Sequence, residues 1–198
     1  MDIKKRRSIE KEKMKHLILN ASIKIINKDG FDSLSMRKIA DLIGYSPTTI
    51  YIYYENKAQI ATDIGNEIFN SIINDISKLL SKQPDLTIEE KLTESFQQFI
   101  MSMTSHPEMG RAFIKSGTSG MFRGKTDDNQ GENMLHSLLI EGYAQGIIKE
   151  VNDNSSWMIL TALIGFGMNA LENQLFLLDN WHNLIASFVD ILMHGISK

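Results

Sequence analysis

The amino-acid sequence predicts an all-α protein of about nine helices: an N-terminal three-helix head carrying a helix-turn-helix, then a longer helical body. Three observations carry that expectation. Apolar residues recur at three- and four-residue spacing along nearly all of the 198 residues. Proline occurs only three times. Alternating β-branched runs, the mark of half-buried strands, are rare.

The elements follow in order. Met14, Leu17, Ile18, Ala21 and Ile25 form one stripe, closed by Gly30 after an Asn-Lys-Asp stretch. Ser35 precedes "MRKIADLI", where Met36, Ile39, Ala40 and Ile43 share a face and Gly44 ends the run. Ser46 then Pro47 is a second start signal, a capping hydroxyl followed by proline at the first helical position. Asn56 can cap a long helix with Ile60, Ile64, Ile68, Ile72 and Ile76 in register, ending near Ser81. Thr87 and Glu90 spell a capping box for a helix through Ile100 and Met103. Pro107 restarts a helix through Phe113. "SGTSGMFRGKTDDNQG" has no period and reads largely as loop. Met134, Leu135, Leu138, Leu139 and Ala144 begin a helix that stops by Gly146. Ser155 or Ser156 caps an apolar helix from Trp157 to Leu178, and a last helix runs from about Trp181 to Ile196.

Composition excludes several chemistries. The chain has no cysteine, so it has no disulfide, thiolate metal site or cysteine nucleophile. No apolar run reaches the roughly 18 residues of a membrane span. The basic start, "MDIKKRRSIEKEKMKHLILN", lacks the apolar core of a signal peptide. A cytoplasmic location is expected. The net charge of −3 conceals an asymmetry: residues 1–60 carry 12 Lys+Arg against 7 Asp+Glu, and the remainder carries 9 against 17. A basic head on an acidic body suits a nucleic-acid partner at one end.

Residues 35–57 hold the candidate motif. Ala40 lets two short helices approach closely, Gly44 relieves the backbone at the turn, and Ile50 packs the second helix on the first. That spacing is a helix-turn-helix. The stretch "GFDSLSMRKIADLIGYSPTTIYIYYENKAQI", Gly30 to Ile60, resembles the TetR family of bacterial transcriptional regulators. Members share a glycine-aromatic pair, Ser or Thr before an R-x-I-A helix, and then G-x-S-x-x-T-I/L-Y-x-Y/H-F-x-x-K. Tyr54 stands where phenylalanine is usual, and Pro47 removes one amide donor.

The resemblance implies roles for particular residues. Thr48 and Ile52, one turn apart, would face base edges in the major groove, and Thr49, Tyr51 and Tyr53 would face phosphates. Ser35 and Ser46 are caps whose neighbouring amides can also meet phosphates. Pro47 opens the reading helix, and Lys57 opens the next helix beside a phosphate. Arg37 would reach a base or the backbone; a pair with Asp41 at i+4 is its alternative. Lys4, Lys5, Arg6 and Arg7 look like a flexible arm. The implied division is a DNA-binding domain over residues 1–56 and a ligand-binding, dimerising domain over 57–198.

The two late helices are apolar around much of their circumference, which points to burial on more than one side. Leu160, Ile164, Met168, Leu171 and Leu175, with Leu184, Phe188 and Leu192, are expected to form a four-helix interface between two copies. A buried central helix in a monomer is the alternative. In the family the body encloses a small molecule. Phe96, Phe99, Met103 and Phe113, with Met134, Leu138, Phe166 and Asn169, are the expected lining. Glu141 or Glu172 could add polar contacts to an apolar, aromatic or cationic compound.

Other motifs fail. "GMFRGKT" has Ser119 where a phosphate loop needs its first glycine. "GFGMNA" lies inside an apolar helix. No two of the five histidines stand at i, i+4. The expectation is therefore no enzyme, no cofactor and no metal, and a homodimeric repressor released from a palindromic operator by a small effector. A regulator without a small ligand, and an enzyme or metal sensor that retains the head, are the two other classes.

Overall fold

The computed structural model describes residues 3–115, 130–149, 151–152 and 154–198. Among these residues there are nine α-helices and no strand: α1 Ile3–Asp29, α2 Met36–Ile43, α3 Pro47–Tyr53, α4 Lys57–Lys82, α5 Ile88–Ser105, α6 Pro107–Lys115, α7 Gln130–Ala144, α8 Ser155–Glu172 and α9 Trp181–Ile196. Short 3-10 turns occupy Phe31–Ser33 and Leu175–Leu177. A single antiparallel bridge joins Ile148 to Ser197. The near-phosphate motif from Gly120 to Thr126 lies outside the described residues.

Four helix starts are set by local side-chain chemistry. The Ser35 hydroxyl accepts the Lys38 N–H at 3.2 Å and opens α2. Gly44 ends α2 in the left-handed region at φ 74°, where a side chain would be strained. The Ser46 hydroxyl accepts the Thr49 N–H at 3.2 Å, with Pro47 in the first turn. Asn56 accepts the Gln59 N–H at 3.0 Å and starts α4. The capping box of α5 is complete, with the Thr87 N–H donating to Glu90 Oε2 at 2.8 Å and the Glu90 N–H to Thr87 Oγ1 at 3.3 Å. The Thr87 N–H and the Thr87 hydroxyl, which also donates to Oε2 at 2.8 Å, hold the Glu90 carboxyl below its ordinary pKa.

Four expectations are corrected. The basic run from Lys4 to Arg7 is not an arm; it forms the first turns of α1. Nothing between Lys4 and Asp29 breaks a helix, and Arg6 pairs with Glu10 one turn on at 3.0 Å. The helix expected to begin with Met134 starts earlier, at Gln130, and the rest of the stretch read largely as loop, 116–129, lies outside the described residues. The helix expected to reach Leu178 stops at Glu172. The Asn173 side chain turns back to the Asn169 carbonyl at 3.2 Å, and Gln174 takes a left-handed φ of 54°. Leu175 thus sits in a 3-10 turn rather than on α8. At the other end, neither Ser155 nor Ser156 caps α8. Asn154 occupies the cap position, Ser155 accepts the Asn152 N–H at 3.0 Å, and Ser156 is buried.

The described residues form two compact units, and the division falls within α4, between Ile68 and Phe69. The first holds the chain up to Ile68 together with Arg111 to Lys115 of α6. Its core is built from Ile18, Ile26, Ile39, Ile50, Ile60 and Ile64, all fully buried. The second holds Phe69–Gly110 and the described residues from Gln130 onward. Its core centres on Leu92, Phe96, Ile100 and Met103 with Ala170, Leu171 and Val189. The Phe166 ring stacks on Phe188 at 4.3 Å and on Trp181 at 5.8 Å between centroids.

Gly110 shows how tightly the second unit is packed. A Cβ there would overlap the Met103 carbonyl oxygen and come within 2.8 Å of Leu171 Cδ1. Helix propensity favours alanine by about 1 kcal/mol, but a backbone carbonyl cannot swing aside as a side chain can. Gly110→Ala is therefore expected to lower stability by about 1–3 kcal/mol net, read as a lower urea midpoint at unchanged slope.

Candidate nucleic-acid interface

The site starts from seven residues, "PTTIYIY", that make up α3. Ile50 is fully buried, so its neighbours one turn face away from it are turned outward. Thr48 and Pro47 are exposed. Tyr51 is 54% exposed and Ile52 71%. Thr49 and Tyr53 are half-buried. The Thr49 hydroxyl lies 3.0 Å from the Ser46 hydroxyl, so it is tied to the cap.

Tyr54 closes the helix from below. Its ring is buried, and its hydroxyl donates to Asp63 Oδ2 at 2.9 Å. Lys15 lies over the same ring at 5.2 Å and 4.0 Å from Asp63. The departure from the usual phenylalanine thus comes with a partner on α4. Burial and the Asp63 bond push the Tyr54 phenol well above its ordinary pKa.

Lys57 is half-buried and already partly engaged. Its ammonium donates to the Phe31 carbonyl at 3.3 Å and sits 5.0 Å from that ring's centroid. Lys115 approaches the same ring at 6.0 Å and pairs with Asp32 at 2.6 Å, which holds the Asp32 carboxyl below its usual range. Arg37 is exposed and makes no pair with Asp41 among the described residues. Lys38, beside it, pairs with Asp29 at 3.5 Å.

Two exposed side chains flank α3 that sequence reasoning missed. Leu42 on α2 is half exposed, and so is Tyr45 in the turn. Their signal was present in "LIGYS": an apolar residue off the buried face, and a ring beside the turn glycine.

The second unit contains a cavity lined by Phe69, Ile73, Ile76, Ser95, Phe96, Phe99, Met134, Leu135, Leu138, Leu160 and Leu163. Four residues expected in an effector site, Phe96, Phe99, Met134 and Leu138, belong to it. Met103, Phe113, Phe166 and Asn169 do not line it. Met103 packs against Gly167, Phe113 lies in the first unit, Phe166 stacks on Phe188 and Trp181, and Asn169 is exposed. Leu160, expected on an interface, lines this cavity instead. The cavity volume is about 30 Å³, roughly twice what one ordered water requires.

Of the other expected interface residues, Ile164 and Leu171 are buried inside their own unit. Leu184, Phe188 and Leu192 on α9 are half-buried, as is Leu175. Met168 faces outward, and so do Met158, Leu177 and Ile191, which sequence reasoning had not assigned to an interface. No helix among the described residues is long and apolar enough to cross a membrane.

An outward-facing α3 on a capped helix-turn-helix, followed by a helical body, defines a DNA-binding regulator of the helix-turn-helix class. Residues 18–64, which include α2 and α3, match the family described as bacterial regulatory proteins, tetR family. The fold of the whole chain is that of TetR-family regulators. A TetR family transcription regulator from Marinobacter aquaeolei VT8 is 21% identical over 98% of this chain and 99% of that chain, with a TM-score of 0.61. RolR, solved in complex with resorcinol, is 16% identical over 93% of this chain and 89% of that chain, with a TM-score of 0.72. FadR from Bacillus subtilis, solved with stearoyl-CoA, is 20% identical over 91% of this chain and 98% of that chain, with a TM-score of 0.61. No curated protein matches the chain in sequence.

The Tyr54 contact has a consequence for pH. A phenol whose folded pKa is raised adds stability that is fully present below its unfolded value near 10 and is lost as pH rises beyond it. Tyr54→Phe is expected to cost about 1 kcal/mol at neutral pH through the lost Asp63 bond. It should also flatten the fall of stability above pH 10, measured by urea titrations from pH 8 to 11.5.

Proposed function

We propose that this chain is a homodimeric transcriptional repressor that grips a palindromic operator and leaves it when a small molecule occupies the cavity of the second unit. The observation that carries the reading is the outward face of α3. Thr48, Tyr51 and Ile52 stand on a short helix held at both ends, and none of them makes a side-chain hydrogen bond or ion pair among the described residues. A rigid helix that presents free hydroxyls and an uncovered isoleucine is built to meet an external surface. In this reading the phosphate contacts come from Tyr51, Tyr53 and Lys57 and the capped amides near Ser35 and Ser46, and Arg37 reaches the duplex from α2.

Dimerisation is supported by the outward apolar side chains Met158, Met168, Leu177 and Ile191, with Leu184, Phe188 and Leu192 half-buried beside them. A two-fold dimer places its reading helices about 34–36 Å apart, one duplex turn. An effector is supported by the lined cavity and by the ligand complexes of RolR and FadR.

The cavity also sets the effector's chemistry. Ten of its lining side chains are apolar, and the eleventh, Ser95, already donates its hydroxyl to the Lys91 carbonyl at 2.6 Å. A charge seated there would have no partner. Glu141 and Glu172 are exposed and outside the lining, so nothing in it favours a cation. The effector of this reading is uncharged where it is enclosed. Because the cavity is small, the bound state is a more open one, and the ligand acts by binding that state more tightly.

Two measurements test the reading. In the first, an operator is selected from random DNA and binding is followed by fluorescence anisotropy across salt. One palindrome should win, affinity should fall steeply with salt, and a half-site should bind far more weakly than the full site. Tyr51→Phe should weaken all sequences alike, by about tenfold for a lost bond to a charged phosphate. A failure to enrich any sequence overturns the regulator reading. In the second, 1-octanol, octanoate and octylammonium are compared as releasing agents on that complex. Octanol should act at concentrations at least tenfold lower than octylammonium, and Leu135→Trp, at the half-buried edge of the lining, should abolish its effect. Equal potency of the three would remove the assignment of the cavity as the effector site.

A further inference from the structure

We infer that α3 reads thymine methyl groups, so that the base pairs facing Thr48 and Ile52 in each half-site are A·T pairs with the thymine on the contacted strand. This inference rests on the DNA-binding reading above and names the chemistry of its operator.

The argument begins with what α3 lacks. Its seven residues include no Arg, Lys, Asn, Gln, Asp or Glu. In the major groove, guanine is selected by Arg or Lys on its two acceptors, adenine by Asn or Gln, and cytosine by an acidic acceptor. None of those pairings can be made from this helix. A threonine hydroxyl can bond either a donor or an acceptor and so singles out no one base; the distinguishing feature open to the apolar groups of this helix is the thymine 5-methyl, recognised by apolar contact.

The geometry supplies the matching groups. Ile52 is 71% exposed, the most open large apolar side chain among the described residues of the first unit. Thr48 precedes it by four residues, so the two lie on one face about 6 Å apart along the axis. That spacing spans about two base steps. Thr49 stands one residue off that face and is half-buried, with its hydroxyl 3.0 Å from that of Ser46 at the cap. Leu42 on α2 and Tyr45 in the turn before α3 are exposed as well. The helix is held at its start by the Ser46 cap and at its end by the Tyr54–Asp63 bond, so the methyl-bearing face is set before DNA arrives. Arg37, on α2, is the exposed guanidinium of the motif, and any guanine contact belongs to it at a different position in the half-site.

The test removes single methyl groups from the DNA. In the selected operator, each thymine is replaced in turn by deoxyuridine, which keeps every hydrogen-bonding group and loses only the methyl. One or two positions per half-site should lose about three- to fivefold in affinity, the worth of one buried methyl. All other positions should be unaffected. Ile52→Ala should erase the uracil penalty at one of those positions, and Thr48→Ser, which keeps the hydroxyl, should erase it at the other. Ile52 is bare of packing, so the variant retains its fold, and an unchanged melting temperature checks this. Placing 5-methylcytosine at a sensitive position should recover part of the loss produced by cytosine. Specific binding with no uracil-sensitive thymine, or with G·C pairs enriched opposite α3, overturns the inference and leaves the regulator reading standing. If no sequence is enriched at all, both fall.

Discussion

A seven-residue helix does not hold itself together in water, because the cost of nucleation exceeds what so few bonds return. Everything proposed for this protein depends on α3 being held from outside. Its start is set by the Ser46 hydroxyl on the Thr49 amide and by a left-handed Gly44 that turns the chain out of α2. Its middle is fixed by Ile50, which has no exposed surface. Its end is set by Tyr54, buried and bonded to Asp63 on α4. With those three constraints met, the remaining side chains have no choice of direction. Thr48, Tyr51 and Ile52 face solvent because the opposite face is occupied.

The same division of labour governs charge in the first unit. Its cations are not all free for a partner. Lys57 and Lys115 both sit over the Phe31 ring, Lys115 also holds Asp32, and Lys38 holds Asp29. These exposed or half-exposed pairs contribute little stability, since water screens them. Their effect is to place charge. They leave Arg37 on α2 exposed, while α3 itself carries no cation. In the proposed reading, attraction to phosphate and reading of bases are therefore supplied by different elements.

The second unit is organised by the opposite requirement, which is the exclusion of water. Close packing is reached by omission of side chains at Gly110 and Gly167, where a Cβ would strike Met103 and, at Gly110, Leu171. The cavity beside that packing is lined by carbon and one committed hydroxyl. An interior of this kind tolerates an apolar guest and penalises a charged one. The apolar side chains left outside, Met158, Met168, Leu177 and Ile191, lie on or next to the two last helices, whose hydrophobicity is not used up by their own core.

Much of this was legible in the chain itself. Caps at Ser35, Ser46, Asn56 and Thr87 act through atoms three residues away, so residue identity and spacing determined those helix starts. The glycine at 44 and the buried isoleucine at 50 belong to the same local logic. The rest was decided only by tertiary structure, because it depends on which of two apolar faces turns inward. Periodicity showed that α8 had apolar residues all round; it did not show that Ile164 and Leu171 would be buried, that Leu160 would line a cavity, or that Met158 would be left outside. Nor did it reveal that the extra hydroxyl of Tyr54 meets Asp63 nine residues on, or that Lys57 folds back over Phe31. A sequence records hydrophobicity one residue at a time. Which neighbour covers each residue is settled only when distant helices compete for the same surface.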